Sequence, residues 1–252
     1  TLSSSSAASD VYKRQMQSVE KNEFIRDFVE NGLELGMLSP APQIQHYSQV
    51  HCVHKATLPT GEKQWRPTLD LRYMNSCSKK MSWPLPNIST LLQRIGRARP
   101  RIMAKVDMTS GYHQTPMDDL CKVYTAFICF MGIFLYNRTP QGAQGAAGYF
   151  QCMMTTIVLA GLVYITCECY IDDVLIHAHD EKTFFERMRE VFNRFRKYNI
   201  YLHPDKIYFS DSSIEFLGHE ITHQGMRFTQ EKLDGIRAVS YTHLRAHETD
   251  SY

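Results

Sequence analysis

Two apolar, strand-like runs flank a short acidic turn, and this feature limits the possible folds more than any other. The runs span residues 162–169 and 174–179, and Tyr170-Ile171-Asp172-Asp173 stands between them. Two neighbouring carboxylates at a tight hairpin repel each other and gain nothing from burial. A divalent cation would explain them, because hard Mg²⁺ selects carboxylate oxygens. The segment therefore predicts a β-hairpin with a metal site at its turn.

Asp107 is the best candidate for a further anionic ligand from a neighbouring strand. It follows a strand-like run over residues 101–106 and opens the turn formed by residues 108–111. Three carboxylates at adjacent strand ends suit a two-metal site for phosphoryl transfer. A plain surface turn is the alternative for any single Asp-Asp pair, and we interpret Asp118-Asp119 as such a solvated turn.

The rest of the chain alternates between helical and strand-like patterns. Helical spacing covers residues 19–38, 88–95, 148–159 and 183–201. Strand patterns cover residues 50–57, 64–71, 101–108 and 125–134, and a hairpin is predicted over 209–222. The helix over 183–201 has an aromatic face that is expected to lie in the core. Together these patterns predict an α+β fold with a mainly antiparallel sheet.

Charge is distributed unevenly along the chain. The net charge of +2 over 252 residues does not by itself indicate a nucleic-acid-binding protein. Residues 51–105, however, hold eleven basic and two acidic side chains, a local charge of +9 that leaves −7 for the remainder. Such a basic block is typical of a surface that faces phosphates.

The cysteines and the apolar runs bear on the cellular compartment. Seven cysteines, with no Cys-x-x-Cys pair, indicate reduced thiols in an intracellular protein rather than a disulfide framework or a zinc site. The longest apolar run, residues 157–167, is too short to span a bilayer, so no membrane association is expected.

Both ends of the chain are explained by one short DNA element. Residues 10–15 (DVYKRQ) can be encoded by GATGTGTATAAGAGACAG, and the reverse complement of this DNA encodes residues 239–243 (VSYTH). The element resembles the transposase end used in sequencing-library adapters. We therefore expect residues 1–15 and 238–252 to be adapter-derived and non-native, and we exclude them from the fold prediction.

Seven ordered blocks of the remaining chain match one family. The blocks are residues 65–75 (WRPTLDLRYMN), 83–86 (WPLP), 106–114 (VDMTSGYHQ), 124–127 (YTAF), 140–142 (PQG) with 150–151 (FQ), 170–173 (YIDD) and 216–219 (FLGH). In this order they resemble the reverse transcriptase domain of gypsy-type LTR retrotransposons, a part of the Pol polyprotein, and of their retroviral relatives.

The resemblance implies a right-hand polymerase with palm and fingers, an antiparallel palm sheet and most of the thumb missing. It places the fingers at residues 16–82 and 116–138, and the palm at 83–115 and 139–225. Residues 226–237 would begin the thumb or connector. The basic block over residues 51–105 would then be the surface of the fingers that grips template phosphates.

The resemblance also implies an activity, that of an RNA-directed DNA polymerase, which is a nucleotidyltransferase. Asp107, Asp172 and Asp173 match the catalytic carboxylates of the family. Asp107 and Asp172 would hold two Mg²⁺ ions, for which Mn²⁺ can substitute, and Asp173 would tune the site. The reaction would transfer a nucleotide from a dNTP to a primer 3′-hydroxyl on an RNA or DNA template.

Further residues match family positions around the nucleotide and the template-primer. Those implied to bind the dNTP are Arg66, Tyr112 and Gln141, with Lys55 assisting. Those implied to contact template or primer are Tyr170, Phe216, Leu217 and Gly218. Protease, RNase H and integrase domains are expected on the same polyprotein, which would act in the cytoplasm or in virus-like particles.

The chain departs from the family pattern in two places, and two alternatives stay open. Gly145-Ala146-Ala147-Gly148 replaces the usual Asn-Ala-Pro segment, which would loosen the start of the following helix. Thr166 and Glu168 replace aliphatic residues, so Glu168 is a candidate extra carboxylate near the site. The alternatives are a viral RNA-dependent RNA polymerase palm, and a decayed or domesticated copy that only binds nucleic acid.

Overall fold

The computed structural model describes residues 18–44, 46–57, 61, 63–79 and 81–236. The two ends predicted to be adapter-derived, residues 1–15 and 238–252, lie outside these described residues. The chain forms two compact units. The first unit comprises Thr1–Ser82 and Ser110–Ala147, and the second comprises Trp83–Thr109 and Gly148–Tyr252. The boundaries between the two units fall after residues 82, 109 and 147. The sequence predicts boundaries between fingers and palm after residues 82, 115 and 138.

The first unit is built on a five-stranded sheet. Its elements are α1 (Val19–Glu34), β1 (Leu38–Pro40), β2 (Ser48–Thr57), β3 (Lys63–Leu69), α2 (Arg72–Cys77), α4 (Asp119–Lys122), β5 (Phe127–Cys129) and β6 (Gly132–Tyr136), with 3₁₀ turns at Gly111–Gln114 and Val123–Thr125. The strand order is β1-β6-β5-β2-β3, and all pairs are antiparallel except β2 with β5. Apolar residues at helical spacing on α1, such as Ile25 and Val29, pack against Phe127 and Tyr136 of the sheet.

The second unit contains a four-stranded and a three-stranded sheet. Its elements are α3 (Ile88–Ala98), β4 (Ile102–Asp107), β7 (Cys167–Tyr170), β8 (Asp173–Ala178), α6 (Glu181–Lys197), β9 (Tyr208–Ser210), β10 (Ser213–Phe216), β11 (His219–Thr222) and β12 (Gly225–Phe228). Helix α5 (Ala146–Met153) begins at the unit boundary and continues into a π-helical turn at Met154–Val158. Residues 230–236 are helical. The first sheet has the order β7-β8-β4-β9 and is antiparallel throughout, as predicted.

Helix α3 covers one face of this four-stranded sheet. Leu91 and Ile95 of α3 are fully buried against Met103 of β4 and Leu175 of β8. Phe216, from the three-stranded sheet, completes the same cluster. Because side chains alternate along a strand, Lys105, Asp107 and Asp173 belong to the face that α3 covers. Helix α6 packs against β8 and β4.

Several predicted elements differ from the structure. The strand predicted over 162–169 begins only at Cys167, because Tyr164 has a φ of 75° and the N–H of Thr166 donates to Leu162 O in a turn. The apolar residues of that segment are loop residues, which periodicity alone does not distinguish from a strand. The helix predicted over 19–38 ends at Glu34, because Gly36 takes a φ of 63° and Leu38 enters β1.

The hairpin predicted over 209–222 is present but begins later, at Ser213, where β10 pairs with β11. β9 does not pair with β10 but with β4, through Met103, Ala104 and Lys105. β11 also pairs with β12. The helix predicted over 183–201 begins earlier, at Glu181, where Asp180 caps it by accepting from Thr183 N, and it ends at Lys197. Among the described residues, no helix is long and apolar enough to cross a membrane.

Candidate active site

The structure brings the three predicted catalytic carboxylates to one end of the four-stranded sheet. Asp107 is the last residue of β4 and Asp173 is the first residue of β8, and the two are direct register partners. Tyr170 and Asp173 close the hairpin between β7 and β8, with Ile171 and Asp172 as its turn. Directly opposed residues in antiparallel strands have side chains on the same face. Strand pairing therefore brings Asp107 next to Asp173, as the positions of these residues at the ends of the apolar runs predict.

The hairpin turn is held from behind by a buried glutamine. The Oε1 atom of Gln151, on α5, accepts from the backbone N–H of Ile171 at 2.6 Å, and its Nε2 atom donates to Cys169 O at 3.2 Å. Gln151 is completely buried. Ile171 has a φ of 56°, which is uncommon for a β-branched residue. The turn geometry thus depends on a side chain 20 residues away along the chain.

The electrostatics of the site disfavour the charged carboxylates. Burial raises the pKa of Asp172, and the negative charge of Asp107 adds to this effect. Burial also raises the pKa of Asp173, and the charges of Asp172 and Asp107 act in the same direction. Lys105 opposes the shift at both residues. Burial therefore disfavours the charged form of both carboxylates by more than the nearby lysines compensate.

Two lysines reach the carboxylates. Lys206 Nζ donates to Asp107 Oδ1 at 3.1 Å, and Lys105 Nζ lies 3.5 Å from Asp173 Oδ1. The latter distance is that of an ion pair, and Asp173 Oδ1 is a buried oxygen without a hydrogen bond. Lys206 is placed by the segment after α6, where His203 N donates to Asp107 O at 2.9 Å. Sequence reasoning missed both roles, although Lys105 shares a strand face with Asp107.

The donor set fits a hard divalent cation. It consists of neighbouring carboxylates whose charged form is disfavoured by burial, with one buried oxygen that has no hydrogen bond, and carboxylate oxygens are the ligands that Mg²⁺ selects. As the side chains stand in the described part of the chain, no three His, Cys, Asp or Glu residues are close enough together to hold a metal ion. In this arrangement each of the two lysines lies against one carboxylate oxygen, Lys105 against Asp173 Oδ1 and Lys206 against Asp107 Oδ1.

The four predicted dNTP-binding residues lie in the first unit. Arg66 is exposed on β3 opposite Val53, and Lys55 is exposed at an irregularity of β2 between His54 and Ala56. Tyr112 is half-buried in the 3₁₀ turn Gly111–Gln114, where its carbonyl accepts from Thr115 Oγ1 at 2.6 Å. Gln141 is exposed.

The loop that carries Gln141 is fixed by Asn75. Asn75 Nδ2 donates to Gly142 O at 3.0 Å, and Asn75 Oδ1 accepts from Gln144 N at 2.7 Å. Gly142 has a φ of 92°, which favours glycine at this turn. Asn75 belongs to the matching block over residues 65–75, but its contacts with this loop are not predicted from the sequence. The helix after the departure at residues 145–148 begins at Ala146.

The residues predicted to contact template or primer surround one corner of the second unit. Phe216 is completely buried among core residues, so its side chain supports the turn between β10 and β11. Leu217 and Gly218 form that turn with φ values of 50° and 71°. Leu217 and Tyr170 are both half-buried and pack against the core that contains Phe216. Of the four residues, Tyr170, Leu217 and Gly218 are therefore accessible to a template or primer, whereas Phe216 is not.

The basic block over residues 51–105 is divided between the two units, because the chain passes from the first unit to the second after residue 82. Lys55, Lys63, Arg66, Arg72 and Lys79 belong to the first unit, and Arg94, Arg97, Arg99, Arg101 and Lys105 to the second. Two of these cations serve buried or half-buried acids in the second unit: Lys105 pairs with Asp173 and Arg94 with Glu168. Glu168 is therefore engaged by Arg94 and does not stand free as an extra carboxylate.

Comparisons with known proteins agree with this arrangement. A family model described as reverse transcriptase (RNA-dependent DNA polymerase) matches residues 53–221. The Pol polyprotein of transposon 412 from Drosophila melanogaster is 32% identical over 204 residues, which are 80% of this chain and 16% of that protein. The Pol polyprotein of transposon opus from the same organism is 30% identical over 208 residues, or 82% of this chain and 20% of that protein. The chain thus spans a fifth or less of these relatives.

Solved structures show the fold. A foamy viral protease-reverse transcriptase in complex with double-stranded DNA has a TM-score of 0.78 at 20% identity, covering 89% of this chain and 38% of that one. The foamy viral protein in complex with an RNA/DNA hybrid has a TM-score of 0.76 at 19% identity, covering 89% and 29%. With the family model spanning most of its length, this α+β chain of palm and fingers architecture belongs to the reverse transcriptase (RNA-dependent DNA polymerase) family.

Proposed function

We propose that this chain is the fingers and palm of a reverse transcriptase from the Pol polyprotein of a gypsy-type LTR retrotransposon. It transfers nucleotides from dNTPs to a primer 3′-hydroxyl on an RNA or DNA template. One observation carries the proposal: Asp107 and Asp173 are register partners beside Asp172 at the end of a single sheet. A nucleotidyl-transfer site needs carboxylates in this grouping to hold divalent cations.

The proposed catalytic roles follow from the match to the family, and the position of the carboxylates at one end of the sheet supports them. Asp107 and Asp172 hold two Mg²⁺ ions, and Asp173, whose Oδ1 is buried, adjusts their charge environment. When bound, the ions lower the pKa of the primer hydroxyl and neutralise the triphosphate and the leaving pyrophosphate. Gln151 keeps the turn in place during this step by holding the amide of Ile171.

The residues of the first unit receive the nucleotide in this proposal. Arg66 presents an exposed guanidinium whose planar fork suits phosphate oxygens, and Lys55 assists it. Gln141 lines the pocket on a loop that Asn75 fixes. The ring of Tyr112 lies under the incoming sugar, where it clashes with a ribose 2′-hydroxyl.

The proposed partners are RNA and DNA template-primers, bound by Tyr170, Leu217 and Gly218 with Phe216 behind them. The foamy viral structures in complex with double-stranded DNA and with an RNA/DNA hybrid support this choice. In this proposal, protease, RNase H and integrase domains belong to the same polyprotein. The polyprotein acts in the cytoplasm or in virus-like particles. Residues 1–15 and 238–252 are adapter-derived, and sequencing the flanking genomic DNA tests that assignment.

Primer extension tests the proposed activity. The chain is incubated with a DNA primer on an RNA template, Mg²⁺ or Mn²⁺ and one dNTP, and incorporation of a single nucleotide is measured. The unaltered chain is expected to extend the primer, whereas Asp172→Asn loses extension and keeps template-primer affinity. Preferential use of ribonucleotides favours the RNA polymerase alternative. Binding without any incorporation favours the decayed copy, and normal extension by Asp172→Asn contradicts the site assignment.

A further inference from the structure

The strand before the acidic turn contains a buried acid that the proposed chemistry does not use. Glu168 lies on β7, two residues before Tyr170, and its side chain is only 2% exposed. A buried carboxylate is costly unless a cation and hydrogen bonds compensate it. Arg94 of α3 supplies both, because its Nε and Nη2 atoms donate to the two oxygens of Glu168 at 2.9 and 2.7 Å.

Arg94 is held on a second side by an aromatic ring. Its guanidinium lies 4.3 Å from the ring centroid of Tyr164, within the range of a cation–π contact. Tyr164 belongs to the loop before β7, and its N–H donates to Cys167 O at 2.8 Å. One arginine therefore binds both the strand and the loop that leads into it.

The pair lies on the face of the sheet that carries the carboxylates. Glu168 and Tyr170 are two residues apart on one strand, and Tyr170 is the register partner of Asp173. Alternation along the strand puts Glu168 on the same face as Asp173 and Asp107. Leu91 and Ile95 of α3 make apolar contacts with the same face.

Stability alone is a weak reason for such a pair. Burying two charges costs desolvation energy that their attraction repays only in part, and apolar residues of similar volume often stabilise a fold equally well. Apolar contacts, however, allow sliding, whereas a two-point hydrogen-bonded fork fixes direction and distance. What the pair adds to the apolar contact is a defined position of β7 against α3.

We propose that Arg94 is a positioning residue, which fixes β7 through Glu168 and Tyr164 and so places the Tyr170–Asp173 turn for catalysis. The inference rests on the proposed polymerase function. It assigns Arg94 to internal architecture and removes it from the cations available to template phosphates. A displacement of about 1 Å at reacting groups reduces turnover by up to about 100-fold.

The test compares Arg94→Gln, Arg94→Lys and Glu168→Gln with Arg189→Gln, a matched control on the exposed surface of α6. Thermal unfolding gives the folded fraction, and single-nucleotide incorporation gives kcat per folded molecule and KM for the dNTP. We expect kcat to fall about 10–100-fold in Arg94→Gln and less in Arg94→Lys, with little change in KM. Glu168→Gln leaves no unpaired buried carboxylate, and its amide oxygen can still accept a hydrogen bond from the partly exposed Arg94, so it serves if Arg94→Gln does not fold.

Hydrogen exchange at the amides of residues 168–173 provides a second readout that needs no activity. Exchange there is expected to accelerate in the Arg94 and Glu168 variants and to stay unchanged in Arg189→Gln. Folded variants with unchanged kcat and unchanged exchange overturn the proposal, because a merely structural pair affects only stability. If the unaltered chain incorporates no nucleotide, the proposed function fails, and the exchange data alone decide whether Arg94 positions the turn.

Discussion

Gln151 Oε1 accepts the backbone N–H of Ile171 at 2.6 Å, so a residue of helix α5 holds the turn that carries Asp172. The amide of Gln151 uses its other end as well, donating to Cys169 O across the same turn. The Gln151 side chain is completely buried, and Ile171 sits at a positive φ that an unrestrained isoleucine rarely adopts. The acidic turn therefore depends on a helix, and its strain is balanced by two hydrogen bonds.

The first prediction concerns this amide. Gln151→Leu leaves the partly buried N–H of Ile171 and the buried C=O of Cys169 without this partner, which costs up to about 1–3 kcal/mol per group. We expect the free energy of unfolding to decrease by a few kcal/mol and kcat to fall further than the folded fraction explains. Denaturant unfolding and primer extension measure the two effects. Gln93→Leu, on the exposed side of α3, is the control, and equal losses in both variants contradict the role of Gln151.

The second prediction concerns pH and the raised pKa values of Asp172 and Asp173. A carboxyl whose folded pKa exceeds its unfolded value of 3.8 stabilises the fold below that value, and this contribution is lost as pH rises through the folded pKa. At neutral pH the charged pair therefore destabilises the metal-free chain. We expect Asp173→Asn to raise the melting temperature at pH 7 by about 2–4 °C and to have less effect near pH 3.5.

Mg²⁺ should act on the same two carboxylates. Adding Mg²⁺ at pH 7 is expected to stabilise the unaltered chain and to stabilise Asp173→Asn less, because cation binding to the folded state raises its stability. Na⁺ at matched ionic strength is the control for screening. A metal-free Asp173→Asn variant that melts below the unaltered chain at pH 7 contradicts the direction of the pKa shift.

Sequence reasoning found the carboxylates because their signal is local. Asp107, Asp172 and Asp173 each end or begin an apolar run, and strand pairing converts that pattern into proximity. The mainly antiparallel sheet is likewise predicted from local helical and strand-like patterns. The apolar character of residues 162–166 predicts a strand where the structure has a loop, and no local pattern in the sequence indicates that β9 pairs with β4.

The supporting contacts escaped prediction because they are long-range. Asn75 meets Gly142 and Gln144 across 67 and 69 residues, and Arg94 meets Glu168 across 74. A polar residue within an apolar stretch, such as Gln151 or Glu168, is the only local feature of the sequence that indicates a buried side chain in need of a hydrogen-bond partner. Its partner depends on packing, which composition and periodicity do not encode.

The third prediction concerns the loop that Asn75 fixes. Asn75→Ala removes both hydrogen bonds to residues 142–144, so Gln141 loses its fixed position. We expect KM for the dNTP to rise about tenfold with a smaller change in kcat, because loss of about 1.4 kcal/mol of ground-state binding corresponds to that factor. Single-nucleotide incorporation over a range of dNTP concentrations measures the split. Asn31→Ala, exposed on α1 of the same unit, should leave KM unchanged, and a fall in kcat alone contradicts the prediction.

The fourth prediction concerns Lys206, which is 52% exposed and donates to Asp107 Oδ1 at 3.1 Å. If this lysine occupies a carboxylate oxygen that the metal needs, it competes with Mg²⁺. We expect Lys206→Met to lower the Mg²⁺ concentration for half-maximal activity about two- to threefold, and to change the free energy of unfolding by less than about 1 kcal/mol. Titration of Mg²⁺ in the incorporation assay measures the first effect. Lys182→Met, exposed at the start of α6, is the control. Removal of a competitor can only lower the Mg²⁺ concentration for half-maximal activity. If Lys206→Met needs more Mg²⁺ than the unaltered chain, the lysine instead assists the metal-loaded site.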